Sequence, residues 1–314
     1  MFRFGIFTQE QYLKLGRAKQ ACAPPIAYRL LDVGDRPSED QVRAFEDISY
    51  WMRTSNGTFR TTFRDRFREV DEAALRWMQK LFSPGAEIRV EDRAVSHGLT
   101  SKEWAERVFQ SFPNARFEAS DVLLDLYEIS REEAAYVLEP SGRAIQYVKS
   151  PFAVSLVDQA EPRRYPVNWV VARWAKRRFE ALRLGTDWIE AAERQGWRVR
   201  KIPFAHPEAR ELARRNSRFE IRVRSVFDIT AEGSDVIRTM NILNSSYFSG
   251  QELTKAVNAI FQSMRPGGLW IAGRTLEEDL SNHVSLLRRG DGVWEVVERI
   301  GRGWELERLA LGAA

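Results

Sequence analysis

The segment from Asn241 to Gly273 constrains the fold of this chain more than any other. Asn241-Ile-Leu-Asn-Ser-Ser-Tyr-Phe-Ser-Gly-Gln-Glu-Leu253 reads as a strand end and a polar loop running into a helix. Ser249 with Glu252 three residues on makes a capping box, in which side chain and backbone bond reciprocally at a helix start. Leu253, Ala256, Val257, Ile260, Phe261 and Met264 then recur at helical spacing. Pro266-Gly-Gly ends the helix, because proline cannot continue it and glycine supplies turn dihedrals. Leu269-Trp-Ile-Ala-Gly273 follows as a second, buried strand. A strand, a well-marked helix and a strand in succession point to the α/β class.

Upstream segments extend that pattern. Glu87-Ile-Arg-Val-Glu-Asp-Arg-Ala-Val-Ser-His-Gly-Leu-Thr-Ser-Lys-Glu-Trp104 predicts a first strand at about 88–95, a short loop and a helix. Thr100 and Glu103 form a second capping-box pattern, and Trp104, Val108 and Phe112 share one helical face. A small-residue loop between a strand and a helix N-terminus lets backbone N–H groups approach a ligand and aims the helix dipole at negative charge. The same loop also suits an ordinary strand–helix turn in any α/β protein. Ala115-Arg-Phe-Glu-Ala-Ser-Asp121 predicts a second strand ending in an acid, and Phe219 to Asp228 a third. Ser234-Asp-Val-Ile-Arg-Thr-Met-Asn-Ile-Leu243 predicts a fourth.

Taken in order, these motifs resemble the class I S-adenosylmethionine-dependent methyltransferases, and most of all the chemotaxis-receptor methyltransferases. Ala94, Ser96 and Gly98 match the A-x-S-x-G that the latter carry where most class I members have G-x-G-x-G, with Asp92 as the preceding acid. Asp121 matches the acid that accepts hydrogen bonds from both ribose hydroxyls, a task suited to a carboxylate's several lone pairs. Ser225 and Val226 fall in the run that touches adenine, and Asn241 matches the asparagine after the fourth strand. Thr54-Ser-Asn-Gly-Thr-Phe-Arg60 with Phe63-Arg-Asp65 is similar to a segment that lies over the cofactor. The resemblance implies S-adenosyl-L-methionine as cofactor, held by Asp92, Ala94, Ser96, His97, Gly98, Asp121, Ser225, Val226 and Asn241. His97 either contacts the ligand or fills the loop. Asn244 and Tyr247, after the fourth strand, are the candidates to orient an acceptor; the alternative for both is loop hydrogen bonding.

About 80 residues separate Asp121 from the next matching helix, which begins at His206-Pro207. Gly142 to Val148 reads as one strand, and the remainder reads as mostly helical. The receptor-glutamate reaction is therefore not inferred, since the pattern predicts no docking β-subdomain. Within the insertion, residues 162–183 hold seven basic residues against one acid, Glu180, around an apolar stripe of Val167, Val170, Val171, Trp174 and Ala175. Such a helix can serve as a lid, lie on an anionic membrane, or meet a protein partner.

Bulk properties narrow the class further. At 314 residues, 44% hydrophobic and with 10 tryptophans, the chain can bury one large core and a smaller appendage. No apolar run approaches the roughly 18 residues of a membrane span, and the N-terminus lacks a signal-peptide pattern. Cys22 is the only cysteine, which excludes an intrachain disulfide and a cysteine-built zinc site. A cytoplasmic location fits. The net charge is only +4, with basic and acidic residues interleaved, so no nucleic-acid footprint is read. The three histidines are not spaced as a metal site; His206 reads as a cap or surface residue, and His283 carries no signal.

The expected architecture is an N-terminal helical region over 1–80. A doubly wound, Rossmann-like methyltransferase domain follows over 81–314, with a largely helical insertion at about 125–202 and a strand-rich end from Val284 to Leu306. The expected function is methyl transfer to a small-molecule or lipid-like acceptor. A non-catalytic cofactor-binding module, or an enzyme that uses the cofactor itself as substrate, are the alternatives.

Overall fold

The computed structural model describes residues 2–15, 25–55, 60–157, 163–276 and 278–312. The chain forms two compact units, Met1–Phe63 with Leu123–Pro207, and Arg64–Val122 with Glu208–Ala314. The first unit holds α1 (Gln9–Leu13), a 3-10 turn (Tyr28–Leu31) and α2 (Glu39–Trp51) from the N-terminal part. The second unit begins with α3 (Arg68–Leu81), β1 (Arg89–Arg93), α4 (Leu99–Ser111) and β2 (Arg116–Asp121). The chain then returns to the first unit for β3 (Asp125–Arg131), β4 (Ala134–Leu138), β5 (Ala144–Lys149), β6 (Phe152–Ser155), α5 (Pro166–Glu180), α6 (Trp188–Arg194) and β7 (Arg198–Pro203). It completes the second with α7 (Pro207–Arg215), β8 (Phe219–Val223), β9 (Ser234–Met240), α8 (Gly250–Ser263), β10 (Met264–Thr275), β11 (Asn282–Arg289), β12 (Trp294–Ile300) and α9 (Glu307–Ala310).

The second unit is built on a seven-stranded sheet in the order β12-β11-β10-β9-β1-β2-β8. From β8 through β10 all neighbours are parallel, and β11 and β12 close the sheet as antiparallel strands. Alternation along each strand decides which helices it meets. Val90, Phe117, Phe219, Val236 and Ile271 pack with Val70 and Met78 of α3, Trp104 and Val108 of α4 and Leu212 of α7. Ile237, Trp270, Ala272 and Leu287 face the other way, onto Leu253, Val257 and Ile260 of α8. The mixed α/β, doubly wound plan read from the sequence is the plan observed.

Among the described residues of this unit, no helix covers one half of that second face. The connection from β8 to β9 is ten residues long, 224–233, and carries no helix or strand. Charge fills the place of a helical cover: Glu91, Glu118 and Glu220 lie in register across β1, β2 and β8. Arg93 pairs with Glu91 at 2.7 Å with both side chains almost fully buried, and Arg224 reaches Glu118 at 3.0 Å.

The first unit corrects the expectation of a largely helical insertion. The described residues of 123–207 contain five antiparallel strands, in the order β6-β5-β4-β3-β7, and two helices. Val137 and Ile202 pack with Phe45, Ile48 and Met52 from the N-terminal helices. Tyr136, Leu138, Tyr147 and Val154 pack on the opposite face with Ala172 and Ala175 of α5 and with Trp188 of α6. The sheet is covered on both faces, and the N-terminal helices belong with the insertion rather than forming a region of their own over 1–80. The premise that a β-subdomain is absent fails with it.

Three local expectations also change. The Thr100–Glu103 box does not form: α4 starts at Leu99 after Gly98, whose φ is 82°, and Glu103 instead accepts the Asp65 backbone N–H at 3.1 Å. The helix before Pro266 ends at Ser263, ahead of the Pro-Gly-Gly, and Met264-Arg-Pro-Gly-Gly opens β10 with a break in register between Met264 and Leu269, where Gly267 supplies the expected left-handed turn at φ 81°. His206 is neither cap nor surface; it is fully buried, edge-on to Phe45, with Nε2 3.2 Å from Glu46 Oε1. The Ser249–Glu252 box, by contrast, is present with both its bonds.

Candidate functional site

Because β1, β2, β8, β9 and β10 run parallel, their carboxyl ends share one edge of the sheet. From β1 the chain moves outward to β2 and β8, and afterwards returns to β9 and β10 on the other side. The strand order therefore reverses between β1 and β9, and open α/β sheets bind ligands outside such a switch point. Four loops meet there: 94–98, 121–122, 223–228 and 241–248. All lie within the second unit.

The loop after β1 has an unusual backbone. Ala94, Ser96 and Gly98 all hold positive φ, at 62°, 60° and 82°. Left-handed backbone costs an L-residue about 1–2 kcal/mol, and such strain concentrates at ligand sites. The alternate residues of this loop thus keep the conformation that glycines adopt without cost, although only the last is glycine. Gly98 is the N-cap of the 13-residue α4 and supplies no side-chain cap, so the first-turn N–H groups of that helix have no capping side chain. His97 is fully buried within the loop.

Asp121 stands beside this loop. Its carboxylate accepts the Ser96 backbone N–H at 2.8 Å, and its side chain is almost wholly buried. The backbone carbonyl of the same residue accepts the Arg224 N–H at 3.2 Å, which ties the end of β2 to the loop after β8. In that loop Ser225 donates its backbone N–H to Asp228 at 2.9 Å, while Val226 is buried with Ile237, Leu243 and Leu253.

Across the switch point, Asn241 is also left-handed, with φ 62°. Its N–H reaches Gly273 at 2.8 Å and its Oδ1 accepts the Thr275 N–H at 2.6 Å, so the end of β9 is fastened to β10. Asn244 is mostly buried and turned back on the loop, with Oδ1 accepting the Ser246 N–H at 3.0 Å. Tyr247 is 45% exposed. Of these two candidate acceptor residues, Asn244 has the loop hydrogen bonding that was its alternative, and Tyr247 presents its ring to solvent.

Asp92 is placed apart from the other candidates. Its carboxylate accepts from Ser101 Oγ and, on both oxygens, from the guanidinium of Arg238. Arg238 also bonds Asp71 of α3, and its guanidinium lies 4.3 Å from the centre of the Trp104 ring. All three charged side chains are buried. Burial pushes the Asp71 carboxyl up to about 7, against the pull of Arg238 and Arg107. This cluster ties β1 and β9 to α3 and to the first turn of α4. Sequence reading missed Arg238, whose signal was a lone cation set among Val236, Ile237 and Met240 in a strand.

Of the segment 54–65, residues 56–59 lie outside the described residues. Ser55 donates through both its N–H and its hydroxyl to the Glu139 carboxylate, at 2.7 and 2.6 Å, within the first unit.

No protein-family model matches the chain, and no curated protein matches it. Among solved structures it is similar to the CurJ carbon methyltransferase, at 10% identity and a TM-score of 0.34, over 68% of this chain and 35% of that one. It is similar to an O-methyltransferase family protein from Burkholderia thailandensis, at 12% identity and a TM-score of 0.28, over 76% of this chain and 43% of the other. The N-methyltransferase NodS from Bradyrhizobium japonicum, solved with S-adenosyl-L-homocysteine, overlaps at 12% identity and a TM-score of 0.32, over 69% of this chain and 65% of NodS. The chain thus spans about a third to two thirds of the length of these structures.

Proposed function

We propose that the second unit binds S-adenosyl-L-methionine at the carboxyl edge of its sheet, and that the protein is a methyltransferase acting on a small-molecule or lipid-like acceptor. The observation that carries this proposal is the left-handed backbone at Ala94, Ser96 and Gly98, held beside Asp121 at the switch point. The residues present fit the cofactor. Asp121 is the group to take the ribose hydroxyls, the 94–98 loop and the start of α4 the group to take the carboxylate, and Ser225–Val226 the neighbours of the base. Asn241 fixes the loop that faces them. When bound, the cofactor supplies an already activated methyl group, so the chain's own contribution is positioning and exclusion of water. Tyr247 is then the candidate to orient an acceptor, and Asn244 holds the loop that carries it.

The antiparallel sheet between β2 and α7 supports a second reading, in which the acceptor is a protein side chain. A sheet inserted at this place is where the chemotaxis-receptor enzymes carry their β-subdomain. Product analysis separates the cases. Mass spectrometry after incubation with S-adenosyl-L-methionine and cell extract is expected to show S-adenosyl-L-homocysteine and a product heavier by one methyl, in the small-molecule or the protein fraction. A cyclised or cleaved cofactor with no acceptor would identify the cofactor as substrate. An intact cofactor under all conditions, bound but unchanged, would make the protein a binding module.

A further inference from the structure

The basic helix of the insertion has a use that cofactor binding does not explain. α5 is held on the antiparallel sheet by Asn168, Ala172 and Ala175, all buried, and Tyr136 donates its hydroxyl to the Ala175 carbonyl at 3.1 Å. The opposite face therefore points outward as a fixed surface about 22 Å long, at 1.5 Å per residue. That face carries Val167 and Val170, which are 41% and 56% exposed, and at its margin Trp174, edge-on to Tyr147 of β5 and 48% exposed. Phe2 and Phe4 add two more exposed rings beside it. Arg3 anchors them by exchanging backbone bonds with the Asn168 side chain at 2.7 and 3.0 Å, and Phe2 stacks near Phe152 of β6.

Cations are set among these apolar groups. Arg173, Lys176, Arg177 and Arg178 are exposed along α5, and Arg163 and Arg164 precede it. Among the described residues none of these six forms an ion pair with a carboxylate. Three rest on rings instead: Arg164 near Tyr165, Arg173 4.7 Å from the centre of Trp169, and Arg178 5.3 Å from the centre of Trp174. A solvated charged face would lack the large apolar side chains, and an apolar docking groove would lack the unneutralised guanidiniums. A surface that offers both together matches an anionic bilayer, where phosphates take the cations and the headgroup–acyl boundary takes Trp and Phe. No described helix is long and apolar enough to cross a membrane, so the contact is peripheral.

We infer that the outer face of α5, with Phe2 and Phe4, seats the protein on anionic phospholipid membranes. The test uses the full chain in flotation with vesicles of phosphatidylcholine, and with vesicles in which one third of the lipid is phosphatidylglycerol. Binding to the second kind only, weakening with salt, is expected. Arg173→Gln, Arg177→Gln and Arg178→Gln together should lower the partition by about two orders of magnitude, since each surface cation contributes roughly 1 kcal/mol. Trp174→Ser should lower it at least roughly tenfold at unchanged charge, because a buried aromatic contributes about 1.5–3 kcal/mol. These side chains are exposed, and circular dichroism of each variant confirms its fold. Three results would overturn the inference: no flotation at low salt, flotation that ignores the triple substitution, or binding to heparin as strong as to vesicles with no effect of Trp174→Ser. The last would identify a general polyanion site instead.

Discussion

Ala94 and Ser96 hold a backbone conformation for which glycine is the natural residue. Replacing Ala94 by glycine releases about 1–2 kcal/mol of left-handed strain and costs roughly 0.5–1 kcal/mol in chain entropy. Ala94→Gly is therefore expected to raise stability by about 0.5–1 kcal/mol, read as a rise of a few degrees in Tm. A fall in Tm would mean that the residue is not left-handed in solution. The methyl group at 94 and the hydroxymethyl at 96 hide the loop from a pattern search for glycines, yet the alternation of small residues was visible and coincides with the left-handed positions. Asp92 shows the opposite case. Its position before the loop marked it as a ligand residue, but the Arg238 guanidinium inside the core has claimed its carboxylate. Arg238→Met should cost about 3–5 kcal/mol in denaturant unfolding, because it leaves Asp92 buried without a counter-charge and Asp71 with Arg107 alone. A cost below 1 kcal/mol would show that water reaches the cluster.

At the scale of elements, α7 carries a titration that can be followed. Its Glu208 meets Arg64 at 2.6 Å and Lys102 at 3.2 Å, and these partners, Arg64 foremost, hold its carboxyl down to about 2. A folded-state pKa below the unfolded one stabilises above the unfolded value of about 4.5 and is lost as pH falls toward about 2. Glu208 is a third exposed, so solvent screening reduces the effect to about 1 kcal/mol. Wild type should exceed Glu208→Gln by that amount at neutral pH, and the two should converge in chemical unfolding as the pH drops from 4.5 to about 2. A constant difference would assign the effect to packing rather than charge.

Elements were legible where helical periodicity or flanking punctuation marked them, and illegible where a short run had neither. The helix from Gly250 and the strands ending at Asp121 and Met240 show clear periodicity or clear punctuation. The insertion's strands do not. Ala134-Ala-Tyr-Val-Leu138 sends Tyr136 and Leu138 to one cluster and Val137 to the other. Such a run shows no alternation and looks like buried helix as readily as strand. Arg198-Val-Arg-Lys-Ile-Pro203, at the edge of that sheet, is too charged to suggest a strand at all. Of the candidate site, the loop, Asp121 and Asn241 were legible as positions because each ends a strand; Arg238 was not, because its partners lie far away in sequence.

At the scale of the whole molecule, the insertion leaves and rejoins the second unit through neighbouring strands. Asp125 of β3 is paired with Pro203 of β7, and the Phe204 N–H bonds the Leu124 carbonyl at 2.9 Å. A short linker can therefore close the gap, and each unit has its own apolar clusters. A shortened chain starting at Arg64, with Val122 joined to Glu208, is expected to fold and to bind cofactor within roughly tenfold of the full chain, about 1.4 kcal/mol, while losing turnover. If it folds without binding, the first unit supplies part of the cofactor site.

The most direct test of the central claim is calorimetric titration of the full chain with S-adenosyl-L-homocysteine, in parallel with Asp121→Ala. Saturable binding by wild type is expected, weakened in the variant by about 1.5–3 kcal/mol through loss of hydrogen bonds to a charged group. Absence of binding to wild type, or equal affinity in both proteins, would contradict a cofactor site at the carboxyl edge of this sheet.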